Sequence, residues 1–286
     1  MSCSNDISIV DILGEKMTKK ALFLASAITV LGTAIATPAF ADGGQFNSKG
    51  SVEFTPATTP TAPVSPLNPD PDKPIAPSNP DGSRPEPGTA GPLSIDFASS
   101  LDFGSQQITS KTMSYNASAQ KYTDLDGKNA TSGPDFVQLT DNRGSFSGWT
   151  LSIKQDGQFK TQNNVALDGA TVSFNNAQHV AANGSTDGVT ALSNFTLNPN
   201  GATVPVMSGA AANTGTNGTA GTHLLRFGDA NSLSTQDTNG TGASRGTTDQ
   251  AIKLTVPGQT AKMAAKYATT FNWILSDTPN TIAAIQ

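Results

Sequence analysis

The chain has 286 residues, is 36% hydrophobic and 14% charged, and carries a formal net charge of −5. That balance argues against nucleic acid and against an anionic membrane surface as partners. Its one cysteine, Cys3, lies upstream of any mature chain, which excludes disulfide and thiol chemistry there.

From Met17 the N-terminus reads as a secretory signal peptide over 17–41. Lys19 and Lys20 form a basic n-region, Ala21 to Ile35 is apolar, and Ala39-Phe40-Ala41 before Asp42 is an A-x-A cleavage site. The apolar run is shorter than the ~20 residues that a membrane-spanning helix needs, so no membrane span is expected after cleavage. Residues 1–16 carry Asp6, Asp11 and Glu15 where an n-region should be basic, and we read them as an extension ahead of the true start.

Residues 42–92 follow as the mature N-terminus and a linker. Twelve of the 18 prolines fall between Pro56 and Pro92. Large apolar side chains are scarce there, so the composition predicts a disordered, polyproline-II-rich tether.

At Leu93 the pattern changes to a period of two, which predicts one domain over 93–286. Leu93, Ile95 and Phe97 alternate with Ser94 and Asp96, and Ile252, Leu254 and Val256 with Lys253 and Thr255. Short β-type runs stand at 136–140, 170–174 and 195–197, separated by Gly, Asn, Asp and Ser clusters. The fold class expected is all-β, an antiparallel β-sandwich or a barrel-like closure of one. One amphipathic window, 260–268, has a helical look. Two Gly/Asn-rich segments, 209–222 and 231–250, read as surface loops.

The only two tryptophans both head a W-x-L-S tetrapeptide, at Trp149 and Trp273. In a strand, residues two apart share a face, so Trp149, Leu151 and Ile153 form one apolar stripe with Thr150, Ser152 and Lys154 opposite. Tyr267, Phe271, Trp273 and Leu275 form a second stripe. Such stripes are first of all core residues, each tryptophan burying on the order of 200 Å². Two stripes of one kind are expected to meet in one apolar-aromatic region, with at least one tryptophan buried and binding on the adjacent surface.

The second copy extends to Y-x5-W-x-L-x3-P, with Tyr267, Trp273, Leu275 and Pro279. With the proximal Trp149 and Leu151, the entry "LSIDFASSLDFGSQQI" at 93–108, the signal peptide and the Pro-rich segment, the chain resembles the WxL-domain surface proteins of Gram-positive bacteria. The resemblance implies a cell-surface protein held non-covalently at the cell wall, whose domain binds peptidoglycan through these motif residues. It further implies other WxL proteins and membrane-anchored surface proteins as partners. The alternative it leaves open is an adhesion or assembly subunit whose WxL domain binds other surface proteins. The ending "TIAAIQ" carries no sorting signal, which fits non-covalent retention.

An enzyme is not expected. His179 and His223 stand isolated, and nothing in the spacing of Asp96, Asp102, Asp124, Asp126, Asp135, Asp141, Asp156 and Asp168 favours a catalytic pair. "DLDGKN" at 124–129 reads as a hairpin turn rather than a calcium loop, since no bidentate Glu follows. No metal or cofactor is implied.

Overall fold

The computed structural model describes residues 45–182, 184–211, 218–235, 246–280 and 282. The expected signal peptide and the extension before it lie outside them. The chain divides into two compact units, Met1–Ser51 and Val52–Gln286. In the first, residues 45–51 are exposed and without regular structure.

The second unit is built almost wholly of strands. In chain order they are β1 (Ile75–Ser78), β2 (Leu93–Ala98), β3 (Met113–Ser118), β4 (Gln120–Asp124), β5 (Thr131–Gly133), β6 (Phe136–Asp141), β7 (Trp149–Gln155) and β8 (Thr171–Phe174). There follow β9 (Ala177–Ala181), β10 (Val189–Ala191), β11 (Phe195–Leu197), β12 (Val204–Gly209), β13 (Gly221–Phe227), a 3-10 turn at Ala230–Ser232, β14 (Leu233–Ser234), β15 (Thr248–Val256) and β16 (Phe271–Ser276). Every expected strand is present. The window 260–268 is not helical; the Tyr267 hydroxyl accepts a hydrogen bond from the Met263 N–H at 2.8 Å and folds it into an irregular loop.

All pairings are antiparallel, and the strands fall into four sheets arranged in a ring rather than into two. The orders are β1-β4-β5, β2-β6-β13-β9, β10-β12-β7-β16, and β11-β8-β15-β14 with β3 also on β15. One large core draws on the last three sheets, with Leu139, Trp149, Leu151, Ile153, Phe174, Leu197, Leu225, Phe227 and Ile252 among its members. A smaller cluster lies on the other face of the β2-β6-β13-β9 sheet, where Phe97, Phe136 and Leu224 meet Tyr122, Val64 and Ile75. β6 is therefore covered on both faces, and all its residues are buried.

Two sequence expectations are corrected here. The first is the single face of Leu93, Ile95 and Phe97. Ile95 pairs with Leu139 and Phe97 with Gln138, so Asp96 is an extra residue in the ladder. This bulge sends Leu93 and Ile95 to the main core and Phe97 to the smaller cluster. The Asp96 carboxylate is buried and accepts hydrogen bonds from Thr140 Oγ1 (2.6 Å), Ser94 Oγ (2.7 Å) and Gln138 Nε2 (2.9 Å). Burial still raises its pKa above the usual carboxylate value, against those three bonds.

The second correction concerns the disordered tether to Pro92. Its middle part is ordered against the sheet. Gln138, fully buried, receives the Val64 N–H on its Oε1 at 2.9 Å and donates from Nε2 to the Ala62 carbonyl at 3.1 Å. Arg226 donates to the Pro66 carbonyl at 3.2 Å, Ile75 N–H bonds the Pro63 carbonyl at 2.8 Å, and β1 pairs with β4. A proline run cannot form a full ladder, since it lacks donors. Side chains of the sheet supply the missing partners. The prolines have little backbone freedom to lose, so two buried apolar residues, Val64 and Ile75, suffice as anchors.

The turn 124–129 is a hairpin between β4 and β5, as expected. Asp124 N–H bonds the Lys128 carbonyl at 2.9 Å, and Lys128 pairs with Asp126 at 2.7 Å.

Two buried acids join β6 to β15. Asp135 N–H donates to Asp249 Oδ2 at 2.9 Å, and Asp249 Oδ1 accepts the Ala251 N–H at 2.9 Å. Burial, then the neighbouring Asp249 charge, pushes Asp135 well up, and burial raises Asp249 to about 6. With both carboxylates sealed from solvent, the pair is a feature of the core and offers nothing to a substrate.

Limited proteolysis of the chain from Asp42 should give a resistant fragment that begins upstream of Val64, and a chain starting at Leu93 should melt at a lower temperature. A stable core beginning at Pro92 would refute the docked proline segment. A second expectation concerns pH. Folded Asp135 and Asp249 keep their protons to higher pH than the unfolded chain, whose carboxyls titrate near pH 4. The unfolded state therefore binds fewer protons, and the pair's contribution to stability is lost as pH rises from about 4 through about 6. Asp135→Asn removes Asp135's share of this loss and leaves that of Asp249, which burial raises by itself, so its melting temperature minus that of the parent should rise between about pH 4.5 and about pH 7.5. A pH-independent difference would show that the pair does not titrate in this way.

Candidate functional site

The two W-x-L-S copies are neighbours. β16 lies antiparallel beside β7, with Leu275 opposite Leu151, Trp273 opposite Ile153 and Ser276 opposite Thr150. The register centres a local two-fold on the leucine pair. Each tryptophan sits two residues from that centre, at opposite ends of the row. The tryptophans are thus on one face but about 13 Å apart along the strands.

Both tryptophans pack on β13. The Trp149 ring lies 5.3 Å from that of His223, and the Trp273 ring 6.3 Å from that of Phe227. Their surroundings otherwise differ. Trp149 is 0% exposed, and its indole N–H donates to the Thr219 carbonyl at 2.9 Å. Gly209 faces it across the ladder, where a Cβ would stand 2.7 Å from Cε2 of the indole. Gly148, at φ +78°, turns the chain into β7 where any Cβ would strike the Gly209 carbonyl. The proximal Trp149 and Leu151 are therefore core. Trp273 and Leu275, on the edge strand, are only partly buried.

Pro279 is exposed, and its place explains the end of the motif. After β16 the chain crosses the outer face of the sheet. Thr150 Oγ1 donates to the Thr278 carbonyl at 2.7 Å, and Ser208 Oγ donates to the Asn280 carbonyl at 2.6 Å. Proline between these two carbonyls fixes the backbone where the crossing is made.

The histidines, isolated in sequence, meet in the fold. β9 pairs with β13, and His179 Nε2 lies 2.9 Å from His223 Nδ1. Burial, with the second ring beside it, lowers His179 to about 4. Burial also lowers His223, against the Thr219 and Ala220 carbonyls and Asp141. Both are neutral near pH 7, so the pair is a polar link behind Trp149 rather than an acid–base site.

The distal motif borders open space. A cleft of about 1110 Å³ runs between the end of β2 with the irregular segment 99–108 and the segment 262–270. Tyr115, Tyr267, Phe271 and Trp273 line it, all half-buried, above apolar residues that include Phe159 and Leu254. Ile108 and Met263 stand at its sides, 58% and 53% exposed. Of the six motif residues, the fold thus brings Tyr267 and Trp273 to the cleft, keeps Trp149 and Leu151 in the core, leaves Leu275 partly buried beside Leu151, and places Pro279 on the tail. Sequence reasoning missed the opposite wall, 98–108, and the β3 residue Tyr115. Among the described residues no group of three or more His, Cys, Asp or Glu side chains converges as a metal site requires, and no helix is long and apolar enough to cross a membrane.

A family model described as "WxL domain surface cell wall-binding" matches residues 41–279. No curated protein and no solved structure matches the chain.

Trp149→Ala should lower stability by about 3–5 kcal/mol, the range for emptying a large core site. Trp273→Ala, on a half-buried edge, should lower it by about 1–3 kcal/mol. Chemical denaturation of both variants checks the order. Equal losses would contradict the division into a core motif and a cleft motif.

Proposed function

The chain belongs to the WxL surface cell wall-binding family, and we propose that it attaches non-covalently to peptidoglycan through the cleft beside its distal motif. The observation that carries this reading is that Tyr267, Phe271 and Trp273, within Y-x5-W, line a cleft instead of closing into the core. Aromatic side chains with one dry and one wet side suit a ligand with apolar faces and polar edges. The volume, about 1110 Å³, lies just above what small-molecule sites offer, about 300–1000 Å³. The tryptophan of the proximal motif acts at one remove, by fixing β7, on which β16 is laid. The signal peptide over 17–41, with cleavage between Ala41 and Asp42, belongs to the same reading, since the wall lies outside the cell.

One observation favours an assembly role instead. β16 is an edge strand whose register runs without a bulge, and Ile274 on it is 41% exposed. Such an edge accepts an added strand from another protein.

Sedimentation with purified, protein-free peptidoglycan separates the two. The chain from Asp42 should co-sediment, Tyr267→Ala should release most of it while staying folded and melting above Trp149→Ala, and binding should change little with salt, because no net charge attraction is there to screen. Co-sedimentation that appears only when a second surface protein is added would favour assembly.

A further inference from the structure

Resting on the wall-binding reading, we infer that the part of the wall held in the cleft is the glycan strand, an uncharged run of N-acetylated sugars, rather than a peptide stem or an anionic wall polymer. The charges of the cleft support this. Its lining holds two lysines, Lys262 and Lys266, and two aspartates, Asp81 and Asp102, so its formal charge is zero. Most of these charges are already committed to their own loops. The Lys262 ammonium donates to the carbonyls of Pro257 and Thr260, both at 3.0 Å. Asp81 accepts the Ser83 hydroxyl at 2.7 Å and its N–H at 2.9 Å. Asp102 accepts the Gly104 N–H at 3.1 Å. Lys266 makes no hydrogen bond or ion pair among the described residues, and Asp81 is near enough to feel its charge. A stem carboxylate or a phosphodiester would find one cation balanced by a neighbouring aspartate. The protein as a whole carries −5 and would repel it.

The shape argues the same way. Tyr115 reaches the cleft from β3, and Tyr267, Phe271 and Trp273 from β16 and its approach, so four half-buried aromatic rings line one cleft. Pyranose rings present flat apolar faces and polar rims. The polar groups are neutral ones. Gln107 and Ser105 carry no side-chain hydrogen bond to protein among the described residues and are exposed on the 98–108 wall. They are suited to acetamido and hydroxyl groups, which both donate and accept. At about 1110 Å³ the cleft has room for an oligosaccharide rather than a single sugar.

The test is direct titration of the chain from Asp42 with tetra-N-acetylchitotetraose, an uncharged oligomer of β-1,4-linked N-acetylglucosamine. Parallel titrations use a free stem pentapeptide and polyglycerol phosphate. Binding is expected for the chitotetraose alone, weakened about tenfold or more by Tyr267→Ala and little changed by Lys266→Gln. Tyr267→Phe keeps the ring and loses only the bond from the Met263 N–H; binding well above that of Tyr267→Ala is expected, and a loss equal to the alanine variant's overturns stacking on this ring. No binding of the oligosaccharide, or tighter binding of the pentapeptide or the phosphate polymer, overturns the inference. Sedimentation with intact peptidoglycan stands apart: a chain that sediments but ignores chitotetraose keeps the wall reading and loses the glycan.

Discussion

The fold depends on one long-range register, Leu275 against Leu151. It joins the last strand to a strand more than a hundred residues earlier, and it decides which way every side chain of β16 points. A slip of one residue would turn Trp273 and Leu275 outward and set Ile274 into the core. Two W-x-L-S stretches, differing only at Thr150 and Ile274, guard against that slip. Because the pairing is antiparallel and centred on the leucines, each tryptophan falls outside the other copy, at opposite ends of the row, where β13 offers His223 to one and Phe227 to the other. The repeated tetrapeptide is thus one device written twice: one tryptophan on each of two paired strands, both facing a single stripe on β13.

A second constraint is that the β2-β6-β13-β9 sheet is covered on both faces, by two unlike partners. Its inner face meets the apolar stripes of the other sheets. Its outer face carries Gln138, Thr140, Asp96 and Arg226 beside Phe97, Phe136 and Leu224, and it meets the proline segment. A wholly apolar outer face would leave the backbone of that segment without partners, since prolines supply none. The buried amide of Gln138 accepts from one residue of the segment and donates to another, as a neighbouring strand would. Removing it would leave the buried Val64 N–H unpaired, an appreciable loss, and release the Ala62 carbonyl.

Where side-chain parity along one strand decides the outcome, the sequence was readable. The stripes of β7 and β16, the all-β class and the hairpin at 124–129 follow from spacing of two and from turn chemistry. Where a distant partner decides it, the sequence was not. An extra residue at Asp96 leaves apolar and polar residues still alternating, so the change of face at Phe97 is invisible until Leu139 and Gln138 are seen opposite. The order of 62–78 rests on Gln138, Arg226 and Tyr122, far along the chain, and composition alone reports only that the segment could not fold by itself. His179 and His223 meet through the β9–β13 pairing, for which two single histidines leave no trace. Half of the cleft is equally silent: the wall 99–108 has no regular structure, and Tyr115 reads as one more strand residue.

The two motifs divide their work because of where their strands lie. β7 has a neighbour on each side, β12 and β16, so Trp149 is closed off on every side and can serve only packing. β16 has one neighbour, and its other side opens toward the cleft, so Trp273 packs on Phe227 while bordering solvent. The cleft wall from Lys262 to Phe271 is the approach to this strand, held by Lys160, whose N–H and carbonyl both bond to Ala268. The cleft therefore does not exist before the final strand has docked. A ligand in the cleft binds only the closed form, and by mass action it stabilises the pairing on which the core depends. Formation of the cleft and completion of the fold are one event, and the strand that closes the domain is the strand that borders the cleft.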